Sequence, residues 1–196
     1  MRIIAGAYKG RRLTTPRGDV TRPTADQVRI ALMDTLAPRL PGARLLDLFA
    51  GAGGVGLEAL SRGAAHVTFV ERDARAVAAL RDNVAALGVA DAARVVRDDV
   101  ARALGALRRA GERFTLVFLD PPYDEPLATP TLAALGDTAL LDADALVIAQ
   151  HFTKRAPPQI SGTLRAFRTR RFGETTLTFF RAGGYDARSE PTPQRG

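Results

Sequence analysis

Three short stretches hold side chains whose types and spacing could do chemistry. The first is VFLDPPYDEP, residues 117–126. An apolar run from Phe114 to Leu119 reads as a buried strand, and it meets one acid, two prolines and an aromatic ring. Proline cannot donate to a sheet ladder and biases its predecessor away from helix, so Pro121-Pro122 makes a rigid, extended exit. Asp120 and Tyr123 are thereby held in set directions at the strand's C-terminal edge. An acid and prolines after a strand are also ordinary turn chemistry, so this stretch alone does not separate a site from a turn.

The second stretch, LLDLFAGAGGVGLEAL, places Gly51, Gly53 and Gly56 after a strand and at the opening of a helix. The spacing is that of a dinucleotide fingerprint, and a tight strand-to-helix turn can share it. Two acids sharpen the reading. Asp47 lies inside the strand, four residues ahead of Gly51, and Glu71 ends the next strand, where an acid would accept both ribose hydroxyls of an adenosine. A pyrophosphate wants backbone N–H groups and a helix N-terminus, and a carboxylate at Asp47 would repel it. S-adenosylmethionine instead carries an ammonium and a sulfonium, which that acid helps to attract. The glycines then serve close backbone approach. The third stretch, Asp98-Asp99 after the third strand, offers one acid to the adenine amino group and leaves the other as a solvated neighbour or helix N-cap. Asp99 is the preferred acceptor.

Elements that could position these groups follow from the apolar pattern. Residues 44–50, 66–71, 93–97, 114–120 and 145–150 read as strands, with alanine- and leucine-rich helical stretches between them. Such alternation calls for a mainly parallel sheet with helices on both faces. TLRAFRTRRFG and ETTLTFFR then read as two adjacent strands turning at Gly173, an antiparallel finish that brings the count to seven. Before the alternation, MRIIAGAYKGRRLTTP reads as a hairpin around Gly10. RPTADQVRIALMDTLAP reads as a helix with Thr24 as N-cap and Gln27 in capping-box position. Val28, Leu32 and Leu36 recur on one helix face and dock it on the core. Three segments are expected: a basic hairpin over 1–20, the α/β domain over 21–182 and a loose tail over 183–196.

Composition narrows the partners. The chain has 196 residues, enough for one domain with a sizeable core, and 28 basic against 21 acidic residues give a net charge of +7. All but two of the basic residues are arginine, which pairs with phosphates and stacks on bases, so a polyanionic partner is expected. No apolar run approaches the roughly 20 residues needed to span a bilayer, and the start lacks the long apolar segment of a secretory signal. Without cysteine there is no disulfide framework or thiolate nucleophile, and His66 and His151 are too few and too far apart to argue for a metal. A cytoplasmic monomer with no metal and no membrane contact is the expectation.

The set D-x-F-A-G-x-G, an acid ending the second strand, an acid after the third and DPPY after the fourth resembles a class I S-adenosylmethionine-dependent methyltransferase, with its Rossmann-like fold. RIIAGAYKGRRL, RPTADQVRIALMDTL, LDLFAGAGGVGLEALSRGA and FLDPPYD together resemble the bacterial family of 16S ribosomal RNA guanine-N2 methyltransferases, which modify guanine 966. The likeness covers roughly residues 2–182. It implies S-adenosylmethionine as cofactor, with Phe49 and Arg72 joining Asp47, Gly51, Gly53, Glu71, Asp98 and Asp99 around it. It also implies that Arg22 and Thr24 lie near the cofactor and the target base. The chain departs from the family pattern at Ile30 and at Met33-Asp34, and at Gln150-His151, where an acid is common near the end of the fifth strand.

On that resemblance the double proline acquires a purpose. A base amino nitrogen is a poor nucleophile because its lone pair is delocalised into the ring. If Asp120 and the Pro121 carbonyl each accept one N–H, with Pro122 stiffening the exit, the lone pair is aimed at the sulfonium methyl. Tyr123 can stack on a flipped-out base, a contact of about 1–3 kcal/mol in single-strand binders. Tyr8, Lys9, Arg11 and Arg12, with Arg2 and Arg17, form a nucleic-acid clamp or a solvated basic face. The expected substrate is 16S ribosomal RNA in the assembled or assembling small subunit. DNA adenine-N6 or cytosine-N4 methylation is the nearest rival, though the chain shows no room for a separate sequence-reading domain. A catalytically inactive ribosome-assembly factor is the other, though a pure binder has no use for both the cofactor set and DPPY.

Overall fold

The computed structural model describes residues 1–16, 23–122, 125–137 and 139–182. Five strands, β1 (Arg44–Leu48), β2 (His66–Glu71), β3 (Ala93–Arg97), β4 (Phe114–Leu119) and β5 (Leu141–Phe152), run parallel. They are joined in turn by α2 (Gly54–Ser61), α3 (Ala74–Leu87), α4 (Val100–Arg109) and α5 (Ala128–Gly136). Then β6 (Ile160–Ser161), β7 (Leu164–Phe172) and β8 (Thr175–Ala182) complete a sheet of order β3-β2-β1-β4-β5-β8-β7-β6. The strand β8 runs against both β5 and β7, and the turn before it uses Gly173 at φ 60°.

The mainly parallel sheet with an antiparallel finish stands as expected, with differences of extent. It has eight strands rather than seven, because the two residues of β6 pair with the start of β7. The strand β5 is longer than residues 145–150 at both ends, while β1 and β4 stop at Leu48 and Leu119, just short of the turn residues. The first helix, α1, spans Pro23–Leu36, so Thr24 lies within its first turn and is not its N-cap. Proline at the first helical position costs no hydrogen bond there, which favours the earlier start. Arg17, Arg22, Tyr123, the Thr24 side chain and the expected tail lie outside the described residues. Among the described residues no helix is long and apolar enough to cross a membrane.

Strand periodicity sorts side chains between the two faces of the sheet. Leu46, Leu48, Val117, Leu119 and Val147 pack under α4 and α5. Leu45, Phe69, Leu116, Phe118 and Ile148 pack on the other face under α1, α2 and α3, where Val28, Leu32 and Leu36 dock as their spacing predicts. Continuing that second face to the C-terminal strand ends gives Asp47, Glu71, Asp120 and Gln150. The period of two therefore delivers four polar side chains to one side of one sheet edge.

The amino-terminal segment is tied down differently from a regular hairpin. Arg2 and Arg12 form an isolated bridge, and the chain between them turns with Gly6 and Gly10 at φ 84° and 82°. The residues on either side of Gly10 form no regular strand, so the expected hairpin is reduced to that one bridge. The anchor is Glu58 of α2, fully buried, whose carboxylate accepts the N–H groups of Ile4 (2.7 Å) and Ala5 (3.0 Å) and pairs with Arg62 (2.8 Å).

Candidate active site

Two adjoining hollows open at the C-terminal ends of β1, β2, β4 and β5. The larger, about 420 Å³, is walled by the β1–α2 turn, by Asp47, Asp120 and Gln150, and by Met1, Thr15 and Arg29 from the amino-terminal segment and α1. The smaller, about 310 Å³, lies between Phe49, Glu71 and Arg72 on one side and Asp120, Pro121 and Pro122 on the other.

The glycine turn builds the first wall. Phe49 at φ 60° is the non-glycine residue with positive φ among the described residues, and Gly51 follows at φ 55°. A side chain rarely holds that conformation without compensation. Here the turn is pinned by Glu71, which accepts Gly51 N–H at 2.9 Å and Asp73 N–H at 2.8 Å. Gly53 caps α2 at φ 86° and packs against α3, where an added Cβ would lie 2.4 Å from Leu80. Gly56 packs on Phe69, where a Cβ would lie 2.2 Å away. Gly53 and Gly56 thus close the turn against the core, while Gly51 faces open space.

Asp47 accepts Gly56 N–H at 2.9 Å. Burial pushes its carboxyl up to about 8, the Gly56 bond works against that rise, and the Asp120 and Glu71 carboxyls add to it. Asp120 is pushed up to about 7 by burial, opposed by the 2.8 Å bond from Gln150 Nε2. Two acids held near neutrality in one cavity form a receptor for a cation, because a positive ligand lets both ionise. This donor set fits S-adenosylmethionine: open backbone at Gly51, an acid at the end of β2 and two carboxyls for positive charge.

The remaining expected residues fall at varying distances from this centre. Arg72 lines the smaller hollow and is ion-paired with Glu125. Asp99 is the N-cap of α4, accepting Ala101 N–H at 2.9 Å, and Asp98 pairs with Arg102 at 2.7 Å. Both sit one strand beyond Glu71, whose carbonyl accepts Asp98 N–H, and neither is on the walls of the two hollows. Lys9 and Arg12 are exposed, Arg11 donates to the Ala86 carbonyl at 2.5 Å, and Tyr8 is half-buried against the core. Of the departures from the family pattern, Met33 is core, Asp34 reaches Arg62 at 3.5 Å and Ile30 is exposed. His151 points to the opposite face, with Nδ1–H donating to the Phe152 carbonyl at 3.0 Å and Nε2 against the Thr178 hydroxyl at 2.8 Å.

Arg29 is a charged wall residue that the sequence did not single out, and Gln150 was noted there only as a departure from the family pattern. Arg29 follows Val28 on the docking side of α1, and a charge beside an apolar face was the available signal. Gln150 continues the alternation of Leu146 and Ile148.

The family model described as Conserved hypothetical protein 95 matches residues 1–181. A Bacillus subtilis (strain 168) protein named "Putative rRNA methyltransferase YlbH" is 38% identical over 184 residues, covering 94% of this chain and 100% of that one. The Escherichia coli (strain K12) protein named Ribosomal RNA small subunit methyltransferase D is 35% identical over 180 residues, covering 92% of this chain and 89% of its own. A solved structure described as "Putative methyltransferase yhhF from Escherichia coli" superposes with a TM-score of 0.82 at 35% identity, covering 93% of this chain and 98% of that one.

Proposed function

The chain belongs to the Conserved hypothetical protein 95 family, and from that premise we propose that it methylates the exocyclic N2 of a guanine, guanine 966, in 16S ribosomal RNA of the small subunit. The observation that carries this reading is the placement of half-buried Asp120, at a double-proline strand exit, in the same cavity as fully buried Asp47. S-adenosylmethionine, when bound, supplies an electrophilic methyl group on a sulfonium.

The chain's own residues do the rest. Asp47 draws the cationic end of the cofactor, Glu71 takes the ribose hydroxyls and Asp99 the adenine amino group. Asp120 and the Pro121 carbonyl hold the two N–H groups of the target amine, and Tyr123 stacks on its ring. Positioning supplies most of the rate, and ionised Asp120 stabilises the positive charge that develops on nitrogen. The proton then goes to Asp120 or to water. Lys9 and Arg12 are exposed cations for RNA phosphates. A chain with so small a site has little means of reading sequence, so the folded ribonucleoprotein supplies specificity through shape and unpaired bases.

The test is transfer of tritiated methyl to small subunits from cells lacking the protein, with naked 16S RNA and duplex DNA alongside, followed by nucleoside analysis. Label in N2-methylguanosine is expected. Label in N6-methyladenine of DNA, or no transfer to RNA, overturns the reading.

A further inference from the structure

The larger hollow contains a charged group that the scheme above leaves unused. Arg29 is 6% exposed and lines the same cavity as Asp47. Its Nη2 makes two contacts, to the Arg2 carbonyl at 2.9 Å and to Asp26 Oδ1 at 3.0 Å. Its Nε is the buried side-chain polar atom left without a partner among the described residues. Its Nη1 points toward the glycine turn, 3.2 Å from where a Gly54 Cβ would stand, beside the Met1 side chain. An arginine at this position costs desolvation, and burial does lower its pKa, with Asp26 and Glu58 working to keep it charged. A buried guanidinium with a donor unmet is an arrangement that an anion would complete.

The cofactor's amino-acid end carries one ammonium and one carboxylate, and the cavity is lined by one buried acid, Asp47, and one buried guanidinium, Arg29. We propose that Arg29 is the carboxylate-binding residue for the aminobutyrate end of S-adenosylmethionine, pairing with Asp47 as the ammonium-binding residue to fix that end in one orientation. This inference rests on the cofactor reading above. It makes α1 part of the cofactor site: the helix brings Arg29 to the cavity, and the Asp26 contact one turn earlier holds the guanidinium in place. Gly54 has a role in it as well, since a Cβ there would come within 2.8 Å of Met1 Sδ and crowd the approach to Nη1.

The experiment is calorimetric binding of S-adenosylmethionine and of decarboxylated S-adenosylmethionine, which keeps the ammonium and sulfonium and lacks only the carboxylate. The wild-type chain is expected to prefer the carboxylated ligand by about ten- to a hundredfold, the range of charge-assisted hydrogen bonds. Arg29→Gln removes that preference by weakening the carboxylated ligand alone, and Arg29→Lys, which keeps charge without the planar fork, retains part of it. Thermal unfolding reports whether each variant folds. A wild-type chain that binds both ligands equally overturns the inference without recourse to any variant, as does a folded Arg29→Gln with the wild-type ratio. A wild-type chain that binds neither ligand overturns the cofactor reading itself, and this inference with it.

Discussion

Gln150 donates Nε2–H to Asp120 Oδ2 across 2.8 Å, tying the end of β5 to the exit of β4 on the cavity side of the sheet. The bond favours the ionised form of Asp120 and opposes the burial that pushes its carboxyl up to about 7. Asp47, Arg29, Glu71 and Arg72 line the same two hollows and supply the other charges that Asp120 faces. Gln150→Leu is expected to move the acid limb of the kcat/KM profile up by about one to two pH units, the equivalent of one charge-assisted hydrogen bond. Gln150→Glu moves it the same way, because a second carboxyl resists ionisation of the first. An acid limb that stays in place in both variants would separate Gln150 from the titration of Asp120.

Asp47 and Asp120 also set how stability depends on pH. Their folded values of about 8 and about 7 lie above the roughly 3.9 of an unfolded aspartate. The folded state therefore keeps protons that the unfolded chain has released, so this stability is full below about pH 4 and is lost as pH rises through the folded values. His66 and His151, both lowered by burial, act in the opposite sense around their own transitions. Asp47→Asn isolates the effect. Its thermal midpoint without cofactor should fall less than that of the wild type between about pH 6 and about 8.5, and its affinity for S-adenosylmethionine should be lower. Parallel midpoint curves for the two proteins contradict the assignment.

Glu58 holds the amino-terminal segment on the domain through the Ile4 and Ala5 amides and Arg62. Glu58→Ala leaves two amides without their acceptor and Arg62 with only its 3.5 Å contact to Asp34, and a loss of about 3–5 kcal/mol in urea unfolding is expected. Limited trypsin digestion should then cut at Arg2, Lys9, Arg11 or Arg12 in the native state. Wild-type resistance in a destabilised variant would mean that the Ser61 contacts to Tyr8, Ala5 and Ala7 suffice as the anchor.

What could be read from the sequence was local, and what could not was distant. The apolar runs of β1, β2 and β4 and the glycine spacing after Leu48 are short-range signals, and they pointed to Asp47, Glu71 and Asp120 without any knowledge of packing. Glu58 sits in GVGLEALS, where a glutamate reads as the polar face of a short surface helix. The amides that make it a buried anchor lie 54 and 53 residues upstream. Gln150 meets Asp120 across 30 residues of chain, and no pattern within either strand announces the pairing. The strand β6 has only two residues, too few for a period to show. At α1, two start signals compete within two residues, Pro23 and Thr24, and the proline's fixed φ prevails.

The sharpest test of the site concerns Asp120 itself. Its side chain shares a cavity with Asp47, lies beside the stiff Pro121-Pro122 exit and is oriented by Gln150, so its place is fixed before substrate arrives. Asp120→Ala removes a preorganised acceptor and should lower kcat by about two to three orders of magnitude. Binding of the demethylated product S-adenosylhomocysteine should change little, because Asp47, Glu71 and the glycine turn remain. Asp120→Asn keeps one acceptor oxygen for the amine while removing the group that titrates. It should therefore retain more activity than the alanine variant, and its kcat/KM should no longer fall with an acid limb near neutrality. Small-subunit methylation measured across pH for the three proteins, with product affinity measured alongside, checks each part. Full activity in Asp120→Ala would remove the residue from the reaction, and an unchanged acid limb in Asp120→Asn would assign the titration to another group in the cavity, with Asp47 the first to examine.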